Sequence, residues 1–266
     1  AYNRWQTHRY QFWPSSMPKK VEGEGADALR YEYDKKILSS ENTITYANKS
    51  RKGHNYDILV GYTSYMMRDN NFQLKAVGLL VDDMTWNNMN GIASKENYTA
   101  SSGAHKIVKH SFIARANYNY KSKYYLTFTG RYDGSSNFAA NRKWGFFPSA
   151  AFKWNVIREK FMRKASWIDD LSLRLSYGVT GNDAISAYRS LKAYTSSSKG
   201  YLFEGVQSAY YSYARIPNPD LTWEKTALAN VGVDFAVLDN RIKLTAEAYY
   251  SKTNDLLLTV QTPTTT

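Results

Sequence analysis

The stretch HSFIARANYNYKSKYYLTFTGRYD, residues 110–133, changes character almost residue by residue on either side of a Lys-Ser-Lys turn. In its first half Phe112, Ala114, Ala116, Tyr118 and Tyr120 oppose Arg115, Asn117 and Asn119. In its second half Tyr124, Leu126, Phe128 and Tyr132 oppose Tyr125, Thr127, Thr129, Arg131 and Asp133. Side chains along a strand have a period of two, so each half has one apolar and one wet face. Strands of roughly 10 residues that end in aromatic rings are what a transmembrane β-barrel needs. The same alternation fits a half-buried strand of a soluble sandwich, and the hairpin alone does not separate the two.

Composition narrows the choice. The 266 residues include 23 Tyr and 7 Trp, and aromatics make up 15% of the chain. Tyr and Trp offer an apolar face and a polar tip, which suits membrane interfaces and carbohydrate surfaces. Mean hydropathy is −0.57. The longest apolar run, Ala76 to Val81, falls far short of the roughly 18 residues of a spanning helix. An α-helical membrane protein is excluded; a barrel, with its polar lumen and loops, is not. No cysteine is present, so a disulfide framework and a thiolate metal site are both excluded. The net charge of +12 invites a nucleic-acid reading, but the basic residues are scattered and form no known module. Basic residues lining a lumen, or facing anionic lipid head groups, account for the same count, and no nucleic-acid partner is expected.

Eight strands are predicted: Ile37–Lys49 (starting as early as Leu29), His54–Met66, Lys109–Tyr120, Lys123–Asp133, Gly145–Val156, Asp170–Thr180, Glu224–Val237 and Arg241–Thr253, the last running on through Asp255–Gln261. Ser50–Gly53, Lys121–Ser122 and Leu238–Asn240 read as tight hairpin turns. Between them fall the long connections Met67–Val108, Gly134–Trp144 and Gly181–Trp223, with Ile157–Asp169 intermediate and expected to form a helical turn. Short and long connections alternate, so the long ones emerge at one end. Outer-membrane barrels sort loop length in this way, with short periplasmic turns and long extracellular loops. A soluble sandwich has no reason to do so. The fold expected is therefore all-β: an antiparallel transmembrane β-barrel segment with long extracellular loops.

From Arg131 onward the chain resembles the SusC/RagA family of TonB-dependent outer-membrane transporters of Bacteroidetes. The resemblance is carried by RYDGSSNF (131–138), WGFFPSA (144–150), EKFM (159–162), DLSLRLSYGVTGN (170–182), PNPDLTWEKT (217–226), NVGVDF (230–235), NRI (240–242) and YYSKTNDLL (249–257), in that order. Glu41–Tyr46 and His54–Tyr62 are similar more loosely, and residues 1–36 and 67–108 match nothing in the pattern. Asn137 and Ala139 depart from it, since the family commonly has Arg and Gly there. The resemblance implies a barrel of about 22 strands, a plug domain, a TonB-contacting N-terminal segment, and a SusD-like surface lipoprotein as lid. It further implies import of oligosaccharides or peptides across the outer membrane of a Gram-negative bacterium, with membrane lipid or lipopolysaccharide around the wall. No plug, TonB box or signal peptide is legible, so residues 1–266 read as part of one barrel domain within a longer polypeptide.

The candidate site residues fall into two groups. Arg115, Asn117, Thr127, Arg131, Arg174, Asn230 and Glu247 are expected on the wet face, lining a translocation path or gripping a plug. Simple solvation of a wide lumen accounts for the same residues. In the loops, Trp86 with Asn87 and Asn88, and Tyr201, Tyr210, Tyr211 and Tyr213, combine stacking rings with amides, as a sugar ligand requires. The alternative for these aromatics is packing of the loops themselves. The Asp133-Gly134-Ser135-Ser136 run reads as a turn. No catalytic, metal or cofactor site is expected, because His8, His54, His105 and His110 lack metal spacing and no nucleophile elbow is present. The competing classes are a glycan-binding β-sandwich and a passive porin-like barrel.

Overall fold

The computed structural model describes residues 1–17, 25–92, 94, 97–197, 202–203, 206–208 and 210–259. Nine long strands form one antiparallel sheet in the order β1-β2-β3-β4-β5-β6-β7-β12-β13. They are β1 (Tyr2–Trp13), β2 (Ala26–Lys49), β3 (His54–Leu79), β4 (Tyr98–Tyr120), β5 (Tyr124–Ser135), β6 (Trp144–Asn155), β7 (Ile168–Asn182), β12 (Glu224–Val237) and β13 (Ile242–Asn254). Four short strands lie between β7 and β12: β8 (Ala193–Ser197), β9 (Leu202–Phe203), β10 (Val206–Gln207) and β11 (Tyr210–Arg215). The sheet is not closed among the described residues, β1 and β13 each having one neighbour.

The eight predicted strands are all present, but several are longer than predicted and β1 is additional. β3 runs to Leu79 and β4 starts at Tyr98, so much of the expected 67–108 connection is strand. What remains between them, 80–97, includes a 3₁₀ turn over Asp82–Asn87. β1 lacks an apolar row: Tyr2–Gln11 is exposed throughout, so the period-two signal that marks a half-buried strand is missing there, whereas the β3 extension alternates over Phe72, Leu74 and Ala76. β13 ends at Asn254, and 255–259 is not strand, so the extension expected there does not form. Gln261 lies outside the described residues. Asp133–Ser135 is the end of β5 and not a turn, since Lys109, His110 and Ser111 of β4 pair with it.

The chain divides into two compact units. In the first (1–40 and 65–108), Ala26, Ala28, Ala76, Leu79 and Met89 form a small buried cluster. The second (41–64 and 109–266) holds the hairpin from which the fold was read. Register there aligns the apolar rows across strands. Phe128 pairs with Ala116 and Ala150, Leu126 with Tyr118 and Phe152, and Tyr124 with Tyr120 and Trp154. The rows continue through Leu173, Leu175 and Tyr177 of β7 to Val233, Val231 and Ala229 of β12. Among the described residues nothing covers them: Phe128, at mid-strand, is 55% exposed, and Phe112, Phe146, Leu175, Tyr177, Val231 and Val233 are exposed as well. A two-layer sandwich would bury this face.

Aromatic rings border the apolar rows at both ends. At the turn end Tyr124 stacks between Tyr120 and Trp154, and Trp167 packs edge-on against Phe235. At the loop end Trp144 stacks on Phe112 and Tyr132, and Tyr62 packs on Phe112. Tyr124 and Tyr132 lie on one strand roughly 27 Å apart, close to the ~25 Å apolar band of an outer-membrane barrel. The tight turns match their expected positions. Lys121 and Ser122 both take positive φ (49° and 55°), the conformation a two-residue hairpin needs to match strand twist.

The intermediate connection forms two 3₁₀ segments, Val156–Arg158 and Lys160–Lys164. Between them Glu159 gathers the turn-end girdle, accepting from Lys123 Nζ (2.8 Å), Tyr124 Oη (2.6 Å) and Trp154 Nε1 (3.2 Å). With Lys123 first and Tyr124 next, these donors hold the carboxyl down at about 2, from 4.5. A depressed carboxyl contributes stability above its unfolded value, and that stability is lost as pH falls toward the folded value. Thermal melts of Glu159→Gln and the parent should therefore differ by a constant amount above pH 4.5 and converge between there and about 2. A difference that persists unchanged at the acid end would show that the carboxylate is not what ties the turn to the girdle.

Candidate translocation wall and loop surface

The opposite row of the second unit is polar and internally bonded. Arg174 on β7, Gly232 on β12 and Glu247 on β13 share one row. The guanidinium donates to Asp234 through Nε (2.9 Å) and Nη2 (3.0 Å), and Nη2 lies 2.7 Å from Glu247. Asp234 also accepts from Ser172 Oγ (3.2 Å) and Thr245 Oγ1 (3.1 Å). Gly232 makes this reach possible, because a Cβ there would stand 3.2 Å from Arg174 Nη2 and 3.5 Å from Glu247 Cγ. One arginine thus ties three strands together by a planar, bidentate fork that lysine cannot reproduce.

A second ladder spans β3, β4 and β5. Asn117 donates to Asp57 (2.8 Å) and accepts from Thr127 Oγ1 (2.8 Å). Arg131 pairs with Asp133, two residues along the same face. Asn230 sits between Ser176 and Tyr249 in the row. Arg115 is exposed on this face and has no ion pair among the described residues. All seven candidates therefore fall on the polar side, five of them in three separate groups, with Asn230 and Arg115 outside those groups. Sequence reading missed Asp57, Ser172, Asp234 and Thr245, the partners that fix the arginine and the amide. Their alternation was legible, but single Ser, Thr and Asp residues carry no signal of partnership until register is known.

Removing the fork leaves Asp234 and Glu247 facing each other without a cation. Arg174→Ala is expected to lower stability, by an amount reduced by the solvent access of the guanidinium. Arg174→Lys should recover less than half of the loss. Denaturant unfolding with an Arg174/Asp234 double-mutant cycle checks this, and additive single effects would remove the coupling.

At the loop end the wall carries an aromatic knot. Phe147 points to the polar side of β6 and is buried with Phe138 and Trp223; Trp223 lies 4.9 Å from Phe138 and 5.3 Å from Phe147 between ring centroids, and is 5% exposed. Trp223 Nε1 donates to the Lys143 carbonyl (3.0 Å). Beside it Asp183 accepts from Lys109 Nζ (2.8 Å) and Ser135 Oγ (3.0 Å). Asn137 donates to the carbonyls of Asp183 and Ile185. This knot fastens the 136–143 connection and residues 183–185 and 221–223 to the strands, which neither apolar pattern nor spacing indicated.

The loop candidates divide. Trp86 stacks on Tyr10 (6.4 Å, 13° between planes), packs against the Ala26–Ala76–Leu79 cluster, and is held in a turn whose Asp82 accepts from Ser15. Asn87 and Asn88 beside it are exposed. In the other unit Tyr213 pairs with Tyr194 across the β8–β11 hairpin, centroids 5.3 Å apart. Tyr211, two residues away, shares that face, whereas Tyr210 is on the other. All four tyrosines are exposed. Tyr201 lies outside the described residues.

An antiparallel sheet with one uncovered apolar row between two aromatic girdles, and one hydrogen-bonded polar row, is the wall of a transmembrane β-barrel. The chain belongs to the TonB-dependent receptor-like β-barrel family, whose pattern matches residues 2–266, and TonB-dependent receptor barrels are outer-membrane proteins. It is 35% identical to TonB-dependent receptor P26 of Formosa agariphila over 91% of its length, and 34% identical to TonB-dependent receptor SusC of Bacteroides thetaiotaomicron over 94%. The chain spans 24% of the length of each of these relatives. In fold it is similar to the structure of the RagAB peptide transporter, with a TM-score of 0.85, 23% identity, and coverage of 98% of this chain and 28% of that one. The SusC/RagA resemblance read from the separate sequence blocks is borne out.

Proposed function

We propose that this chain forms part of the wall of an outer-membrane, TonB-dependent importer of oligosaccharides or peptides, integral to the membrane and not an enzyme. The observation that carries the reading is the two-sidedness of the second unit. Its apolar row is uncovered over a bilayer's depth, and its polar row is satisfied by internal hydrogen bonds and remains open to water. The plug and the TonB-contacting segment belong to other parts of the polypeptide, and a SusD-like lipoprotein covers the loop end. Arg115, Asn117, Thr127, Arg131, Arg174, Asn230 and Glu247 then border the path and the plug. Tyr194, Tyr211 and Tyr213 offer rings to substrate or lid, and Trp86 serves chiefly to pack its own loop.

Uptake of labelled maltooligosaccharides and of mixed oligopeptides, in cells with and without TonB, tests this reading. Import that requires both the protein and TonB is expected. Import that continues without TonB would identify a passive porin instead, and a protein released from membranes by carbonate would be a peripheral module.

A further inference from the structure

The outward row of β4 from His110, of β5, β6 and β7 from Leu171, and of β12 and β13 is almost free of charge. Among the described residues only Lys225 and Lys252 break it. Register puts them together. Tyr177, Ala229 and Tyr250 share one row; Val179, Ala227 and Lys252 share the next toward the loops; Gly181, Lys225 and Asn254 share the one after. The two lysines are diagonal neighbours on adjacent strands, roughly 7–8 Å apart, directly on the loop side of two exposed tyrosine rings. Neither has an ion pair among the described residues. Two ammoniums within a Debye length repel, and a shared anion removes that cost. On the hydrocarbon side of the same rings runs an apolar furrow lined by Phe128, Ala150, Phe152, Leu175, Ala229 and Val231.

We propose that Lys225 and Lys252 bind the phosphate of an outer-leaflet lipid whose acyl chain lies in this furrow. Loop-side position places the pair at the extracellular border, where aromatic belts meet head groups. Lysine stems extend along apolar surface and deliver the ammonium to that level. A soluble anion at this spot would leave half its hydration shell against acyl chains, whereas a lipid carries phosphate and chain together.

The proposal rests on the membrane-facing reading of this row. To test it, the protein that carries this chain is extracted, reconstituted with lipid A or enzymatically dephosphorylated lipid A, and examined by native mass spectrometry. Retention of phosphorylated lipid A should fall about 10–30-fold in K225Q/K252Q, while K243Q, on the opposite face, should match the parent. Dephosphorylated lipid A should be held weakly by all three, and millimolar inorganic phosphate should not displace the lipid. Equal retention in the double variant, or displacement by inorganic phosphate, would overturn the site. Heat-modifiable gel mobility confirms that each variant is folded. Release of the protein by carbonate would instead reject the membrane reading, separately from the lysines.

Discussion

Arginine in place of Phe128 is expected to cost about 2–4 kcal/mol of stability in a bilayer, and Leu173→Arg, in the row of the girdle residue Trp154, less. Both side chains belong to the uncovered row, Phe128 between Ala116 and Ala150 and Leu173 between Trp154 and Val233. The guanidinium must either sit in hydrocarbon or pull the strand toward the interface. Thr127→Arg, one residue away, should be mild, because Thr127 faces Asn117 and the polar row. Urea titrations in phosphatidylcholine vesicles measure all three. Equal costs at 127 and 128 would mean that the two faces see the same solvent.

The second large effect is expected at Trp223. Trp223→Ala removes a 5% exposed ring wedged between Phe138 and Phe147, together with its hydrogen bond to the Lys143 carbonyl. Truncating a buried Trp costs about 3–5 kcal/mol, and here the cost falls on the attachment of the 136–143 connection to the wall. Trp223→Phe should keep most of the packing and lose about 1 kcal/mol through the unmade hydrogen bond. Hydrogen exchange is the sensitive readout. Amides of 136–143 should exchange faster in Trp223→Ala while those of β5 and β12 at mid-strand stay protected. Uniform acceleration across the sheet would show that the knot supports the whole wall and not the loop alone.

The membrane-depth portion of the fold was legible because lipid on one side and water on the other impose alternation on every strand. That is why Glu224–Val237 emerged with its full bounds and Lys123–Asp133 within two residues. The strands beyond that depth were not legible. β1 has no continuous apolar row, so nothing distinguishes it from loop in a one-dimensional reading, and at the far end of β3 the row is only Phe72, Leu74 and Ala76. The same alternation put the seven polar candidates on one face of the sheet. Their partners required register, which brings Arg174 to Asp234 across 60 residues of sequence. The loop aromatics carried the least information. A Trp that packs on Tyr10 and a buried cluster and a Tyr that stands exposed on a β-strand look alike in sequence.

The sidedness of β5 can be measured directly. The chain contains no cysteine, so once any cysteine elsewhere in the polypeptide is replaced, single cysteines at Leu126, Thr127, Phe128, Thr129 and Arg131 can carry nitroxide labels in the reconstituted protein. Oxygen, which concentrates in hydrocarbon, should relax the labels at 126 and 128 most strongly, and a water-soluble nickel chelate those at 127, 129 and 131. Accessibility that fails to alternate, or labels at 126 and 128 shielded from both reagents, would contradict the assignment of the apolar row to lipid.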